Sequence, residues 1–134
     1  MRVTKAAVVQ TASDIADKKG LGSISLKTVA EALNIRTPSL YNHIAGLEDL
    51  LREVAHNGMR TMNERMCRAA IGKSGDMAIK SVGIEYLNFM IEHPGVYETI
   101  QWATWHGNDE TAIIYGDYTT LLATLIRSIN LKAP

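Results

Sequence analysis

The 134 residues suit one domain, or a small module fused to a helical bundle, and 46% hydrophobic with 21% charged residues excludes a disordered chain. No window holds the ~18 uninterrupted apolar residues of a membrane span, the start "MRVTKAAVVQTASD" lacks the apolar run of a secretory signal, and a single cysteine, Cys67, excludes an intrachain disulfide; together these predict a cytoplasmic protein. Net charge is zero, yet residues 1–44 carry +3 and residues 45–134 carry −3, a basic amino-terminal module on an acidic body.

Helical periodicity dominates, and strand alternation is nearly absent. Val8, Ala12 and Ile15 line one face of a first helix over about 4–19, with Val9 and Ala16 beside them. "GLG" (20–22) stops it, because glycine takes a left-handed backbone readily. Ser25 can cap a second helix whose inward residues are Leu26, Val29, Ala30 and Leu33. Asn34 tolerates the left-handed backbone of a tight turn, and Ile35 plugs back toward the core. Thr37 can then cap a third, short helix over about 37–43, with Pro38 at its first position, where a missing N–H costs nothing.

A long fourth helix starts near Leu47 and repeats Leu50, Leu51, Val54, Gly58, Met62 and Met66 at three-four spacing to about Ala70. "GKSGD" (72–76) is a turn. The fifth helix, about 76–92, is apolar on two faces: Ile79, Val82, Tyr86 and Phe89 on one, Ile84, Leu87 and Ile91 on the other. A helix apolar nearly all round predicts a central position. "HPG" (93–95) ends it, a shorter segment carries Tyr97, Ile100, Trp102 and Trp105, and "HGND" (106–109) turns again. The last helix, about 110–130, aligns Ile114, Tyr118, Leu121, Leu122, Leu125 and Ile129. No repeat or low-complexity linker interrupts the chain.

The stretch "NIRTPSLYNH" (34–43) is the most informative. Two helices joined by three or four residues with a left-handed candidate make a helix-turn-helix unit. Ala30 is small where the helices cross, and Leu33, Ile35 and Leu40 hold the crossing. Such a unit projects its second helix as a rib that fits the ~12 Å major groove of DNA. Arg36 can pair with guanine or clamp a phosphate, Asn42 can pair with adenine, and Ser39 suits either. Thr37 and Pro38 can touch a thymine methyl. Tyr41 and His43 suit phosphates, as does Lys27 at the start of the second helix. The competing reading is a helical hairpin with a solvated polar face.

"SISLKTVAEALNIRTPSLYNHIAGLEDLL" (23–51) resembles the amino-terminal DNA-binding domain of the TetR family of bacterial transcriptional repressors (TetR/AcrR-like). Gly20, Ser25, Ala30, Leu40-Tyr41, His43 and "GLEDLL" occupy the positions of that family's pattern. "HPGVYETIQWATWHG" (93–107) is more loosely similar to a WHG-type carboxy-terminal ligand domain of such regulators. The resemblance implies an all-α fold: a three-helix helix-turn-helix domain over 1–46, joined by the long helix to a ligand-sensing and dimerisation bundle over 47–134. It implies DNA contacts from Ser25, Lys27, Thr28, Arg36, Thr37, Pro38, Ser39, Tyr41, Asn42 and His43. It implies a homodimer placing two ribs in successive major grooves of a palindromic operator, about 34–36 Å apart, released by a small hydrophobic effector. Location would be cytoplasmic, on the nucleoid when DNA is bound, with no membrane, cofactor or metal.

The sequence departs from the family in two places. Leu47 stands where the family often has a phosphate-binding lysine, which puts more weight on Lys27, Tyr41 and His43. The family's last two helices, which form its dimer interface, have no counterpart before "NLKAP", so a bundle lacking them is the expectation, and the rival reading is a non-regulatory helical interaction module that no longer dimerises on DNA.

The effector candidates are Met62, Met66, Tyr86, Met90, Trp102 and Trp105, with Met59 and Phe89 in the same region, since methionines adapt to irregular apolar ligands. A methionine stripe at three-four spacing is more often core. An enzyme is the other class considered. Its raw material, Cys67 with His43, His56, His93 and His106, matches no zinc or nucleophile spacing, and no strand–loop–helix surrounds "GLG" or "GKSGD". Cys67 reads as a bland surface or interface thiol, and His56 and His93 as structural.

Overall fold

The computed structural model describes residues 2–130, with the side chains of Ile129 and Asn130 excepted. The inward position expected of Ile129 and the chain end at 131–134 lie outside the described residues. Among the described residues there are seven α-helices and no strand: α1 (Lys5–Lys19), α2 (Leu26–Ala32), α3 (Thr37–Leu40), α4 (Leu47–Ala70), α5 (Gly75–Glu92), α6 (Pro94–His106) and α7 (Asp109–Asn130), with one 3-10 turn at Leu21–Ser23. The all-α expectation is met, with the helix-turn-helix first and the long helix leading into a bundle.

Local chemistry sets most of the helix ends. Thr4 Oγ1 accepts the Ala7 N–H at 3.1 Å and starts α1, whose last turn carries Lys18 and Lys19 against the carbonyl end. Gly20 ends it at a φ of 92°, a value side chains with a Cβ rarely adopt. Ser25 caps α2 in a reciprocal box with Thr28: Ser25 Oγ accepts the Thr28 N–H, and Thr28 Oγ1 accepts the Ser25 N–H, both at 3.0 Å.

The entry to α6 is capped from another helix. Its N-cap, His93, contributes no side-chain cap of its own. Instead Asp17 of α1 accepts the Val96 N–H at 2.9 Å on one carboxylate oxygen and meets His93 Nδ1 at 2.7 Å on the other. A carboxylate at a helix start also faces the favourable end of the helix dipole. Glu98 returns the tie by accepting the Leu21 N–H at 2.7 Å. The first helix is thereby bound to the sixth. Their approach is close enough that a Cβ on Gly95 would overlap the Ala16 carbonyl.

α4 is the central helix, packed against α1, α5, α6 and α7. Leu50, Val54, Ala55, Met59, Met62 and Met66 are buried along it, and Val8, Ala12, Val82, Phe89 and Ile100 close the core from the other helices. This corrects the central role expected of α5. Only its Ala78–Val82–Phe89 face is buried, while Ile84, Leu87 and Ile91 stand exposed, Ile91 at 77%. Periodicity reports apolar faces but not neighbours. α5 has partners in α4, α6 and α7, and they leave its second apolar face open.

Candidate nucleic-acid interface

The turn between α2 and α3 is built as the sequence predicts. Asn34 takes a φ of 55°, unlike every other described non-glycine residue. The backbone N–H of Ile35 returns to the Ala30 carbonyl at 3.0 Å and that of Asn34 to the Glu31 carbonyl at 3.1 Å, which closes α2 and redirects the chain. Ala30 is buried at the crossing, and Leu33 and Ile35 are half-buried against the core.

The rib itself differs in detail from expectation. α3 is four residues long rather than seven, and Arg36, not Thr37, is its N-cap residue. Thr37 and Pro38 form the first turn, where proline loses no hydrogen bond. Beyond Leu40 the backbone tightens: Tyr41, Asn42 and His43 each donate to the carbonyl three residues back, at 2.9–3.2 Å. The Ile44 N–H then reaches the Leu40 carbonyl at 3.1 Å. Leu40 and Ile44 are buried, and they pin this short rod to the body from below.

Everything that does not pin it faces outward. Arg36, Pro38, Tyr41 and Asn42 are exposed, Tyr41 at 56%, and Thr37, Ser39 and His43 are half-buried. Lys27 is exposed on the neighbouring α2, which packs on α3. Among the described residues, no hydrogen bond, ion pair or ring contact engages the side chains of Lys27, Arg36, Tyr41, Asn42 or His43. Two of the expected contacts stand apart. The Ser25 and Thr28 hydroxyls are engaged in the α2 cap, so their first role is to hold the helix that carries Lys27.

The effector candidates separate in the structure. An apolar cavity of about 310 Å³ lies between α4, α5 and α7, lined by Met66, Ile79, Val82, Gly83, Tyr86, Tyr118, Leu122, Leu125 and Ile126. Of the candidates, Met66 and Tyr86 line it. Met62, Met59 and Phe89 are packed core, Met90 is half-buried, and Trp102 stacks on His106 with ring centroids 4.6 Å apart. Trp105, 86% exposed, sits on a separate open groove between α6 and α7. The cavity's two phenols are kept neutral: burial pushes both Tyr86 and Tyr118 up, and Tyr86 also shares a hydrogen bond with the Tyr97 hydroxyl at 2.7 Å. Tyr118, Leu122 and Leu125 belonged to the periodic face of the last helix. Only tertiary packing turned that face into a wall.

No protein-family profile matches the chain. It is 34% identical over 122 residues to YobS, an uncharacterised HTH-type transcriptional regulator of Bacillus subtilis, across 91% of this chain and 62% of that protein. It is 28% identical over 126 residues to another such regulator, Rv0681 of Mycobacterium tuberculosis, across 92% of this chain and 58% of the relative. The chain thus spans about three-fifths of the length of these curated relatives. In three dimensions it is similar to a TetR-family regulatory protein from Rhodococcus RHA1, with a TM-score of 0.77 at 16% identity, covering 96% of this chain and 70% of that one. The resemblance drawn from residues 23–51 holds on both counts: the sequence relatives are HTH-type regulators, and the fold is that of TetR-family regulators.

Proposed function

We propose that this TetR-like chain is the DNA-reading module and part of the sensory body of a transcriptional regulator, with residues 1–46 on DNA and residues 47–134 forming the body. The observation that carries the reading is the rib: a turn held by Asn34 and Ala30, anchored by Leu40, whose outer side chains have no partner within the described protein. Unsatisfied exposed donors and acceptors on a groove-sized rod are what base and phosphate contacts require. Arg36 and Asn42 read base edges; Lys27, Tyr41 and His43 hold phosphates; Thr37, Pro38 and Ser39 fill the groove between them. Lys27 and Arg36 give this face the positive sign that DNA needs despite zero net charge overall.

Two such ribs on a homodimer would bind a palindromic operator, and the regulator would act as a repressor in the cytoplasm. The α4–α5–α7 cavity is the proposed effector site. Its lining is apolar apart from two phenols, which suits a small hydrophobic molecule. α4 begins where the helix-turn-helix module ends and forms one wall of that cavity, so an effector that favours one setting of α4 would change rib spacing.

The test is a gel shift on DNA from upstream of the coding region, repeated across a salt series. Affinity should fall steeply with salt, and Arg36→Ala and Asn42→Ala should each weaken binding roughly 5- to 150-fold, the equivalent of about 1–3 kcal/mol per bidentate base contact. Unchanged binding by both variants sinks the rib assignment. A second reading, a protein-interaction module, draws support from the exposed Ile84, Leu87 and Ile91 face. It is favoured if the chain shifts no DNA fragment at any salt concentration.

A further inference from the structure

We propose that Glu53, His56 and Glu110 form a site for one divalent transition-metal ion of the zinc class, which ties α4 to the start of α7. This site stands apart from the DNA face and from the apolar cavity.

Glu53 and His56 lie three residues apart on α4, so both point to the same side of the helix. Glu110 comes from the first turn of α7. One ligand atom from each residue lies within 4.8 Å of the other two. His56 Nδ1 is 3.6 Å from Glu110 Oε2. Two donors on a tetrahedral zinc, at about 2.0–2.2 Å each, sit roughly 3.4 Å apart, so this spacing needs little adjustment.

The second observation is the state of His56. It is 1% exposed, and its Nδ1, turned toward the carboxylates, has no hydrogen-bond partner. A buried polar atom without a partner is uncommon and costly. Its other nitrogen shows why. Nε2 lies 2.5 Å from Thr111 Oγ1. That hydroxyl accepts the Asn108 N–H at 3.0 Å and reaches Asn108 Oδ1 at 3.2 Å. In the tautomer in which His56 Nε2–H donates to Thr111 Oγ1, and the Thr111 hydrogen goes to Asn108 Oδ1, Nδ1 carries the lone pair and faces the two glutamates. Thr111 and Asn108 play the part that outer hydrogen bonds play around a ligating histidine: they hold the ring in place.

One imidazole nitrogen with two carboxylates suits zinc or a similar first-row ion better than magnesium or calcium, which take oxygen ligands. The neighbouring cations leave room. Arg60 hydrogen-bonds Glu110 through Oε1, not the Oε2 that faces His56. Lys5 is 3.5 Å from Glu53 Oε1.

The test uses the full chain carrying Cys67→Ser, so that the exposed thiol does not compete. After chelator treatment and removal, zinc chloride is titrated by calorimetry and melting is followed in parallel. The expected result is one zinc per chain, a melting temperature that climbs with zinc, and no such response to magnesium. Glu53→Gln and Glu110→Gln, of nearly the same shape, should each melt as the parent does without metal and bind zinc at least ~10-fold more weakly. If zinc shows no saturable one-to-one binding, the proposal fails. It also fails if both variants bind zinc as the parent does, because the metal would then sit on other histidines.

Discussion

The rib and the long helix beside it use polar side chains in opposite ways. On the rib, Arg36, Tyr41, Asn42 and His43 engage nothing within the described protein. On α4, every arginine is occupied. Arg52 donates to the His106 carbonyl at 3.0 Å, Arg60 pairs with Glu110, and Arg68 pairs with Glu64. Arg65 reaches Glu85 at 3.1 Å and Glu92 at 2.9 Å while lying over the Phe89 ring. The same residue type is therefore a structural tie in one region and unpartnered in the other. Exposure alone does not separate these roles, since Arg60 and Arg68 are well exposed too. What separates them is whether the side chain already has a partner. The α4 arginines find partners within the fold, whereas the rib's donors are left open to solvent.

That contrast can be broken at either end. The largest effect is expected from Gly95→Ala, deep in the body. Its Cβ would collide with the Ala16 backbone, so α6 must lift from α1, at a cost of more than about 4 kcal/mol. Thermal or urea unfolding should show a collapse of stability; a melt like that of the parent would mean that the α1–α6 approach is looser than described. Leu40→Ala comes next. Leu40 is fully buried beneath the rib, and its truncation should cost roughly 2–5 kcal/mol and weaken DNA binding with it, the one rib substitution that strikes both properties.

Arg36→Ala and Asn42→Ala sharpen the comparison most directly. Each should weaken DNA binding while the stability measured by urea unfolding stays within about 0.5 kcal/mol of the parent, as expected of an exposed residue without partners. A marked loss of stability would reveal a structural role for the rim. Arg65→Ala is the mirror image. Losing a half-buried guanidinium with two carboxylate partners should lower stability by about 1 kcal/mol and leave DNA affinity untouched.

The smallest effect concerns pH. Burial lowers His56, against the pull of Glu110, so the folded state resists protonating a ring that the unfolded chain protonates near pH 6.5. The unfolded state then holds more protons, and stability should fall as pH drops below about 6.5 toward the lower folded value. Melting curves from pH 7.5 to 5, in chelator, should show that slope in the parent and a shallower one in His56→Gln. Equal slopes would place the acid sensitivity elsewhere.

Much of the rib was legible because its determinants are local. Asn34 in the turn, Pro38 in the first turn, Ser25 as cap and Leu40 as anchor act on residues within a few positions of themselves. The length of α3 was less legible. Thr37, Ser39 and Tyr41 are compatible with either an α-turn or the tighter 3-10 turns that the backbone adopts after Leu40, and burial of Ile44 goes with the tighter path. The cavity was only half legible. The methionine stripe pointed to α4; Met59, Met62 and Met66 all went into the core, and Met66 alone of the three also lines the cavity, because that depends on where α5 and α7 land.

By itself, then, the amino-acid sequence determined the helices, the Ser25 cap of α2, and the rod that projects from the turn, through interactions spanning about one helical turn. Tertiary structure decided which of two apolar faces of α5 is buried, that Asp17 caps a helix begun by Pro94, and that Glu110 faces the Glu53–His56 pair. Each of those depends on elements far apart in the chain, whose meeting is settled by packing around α4. A 3.6-residue period records that a face is apolar or acidic, but not what will lie against it.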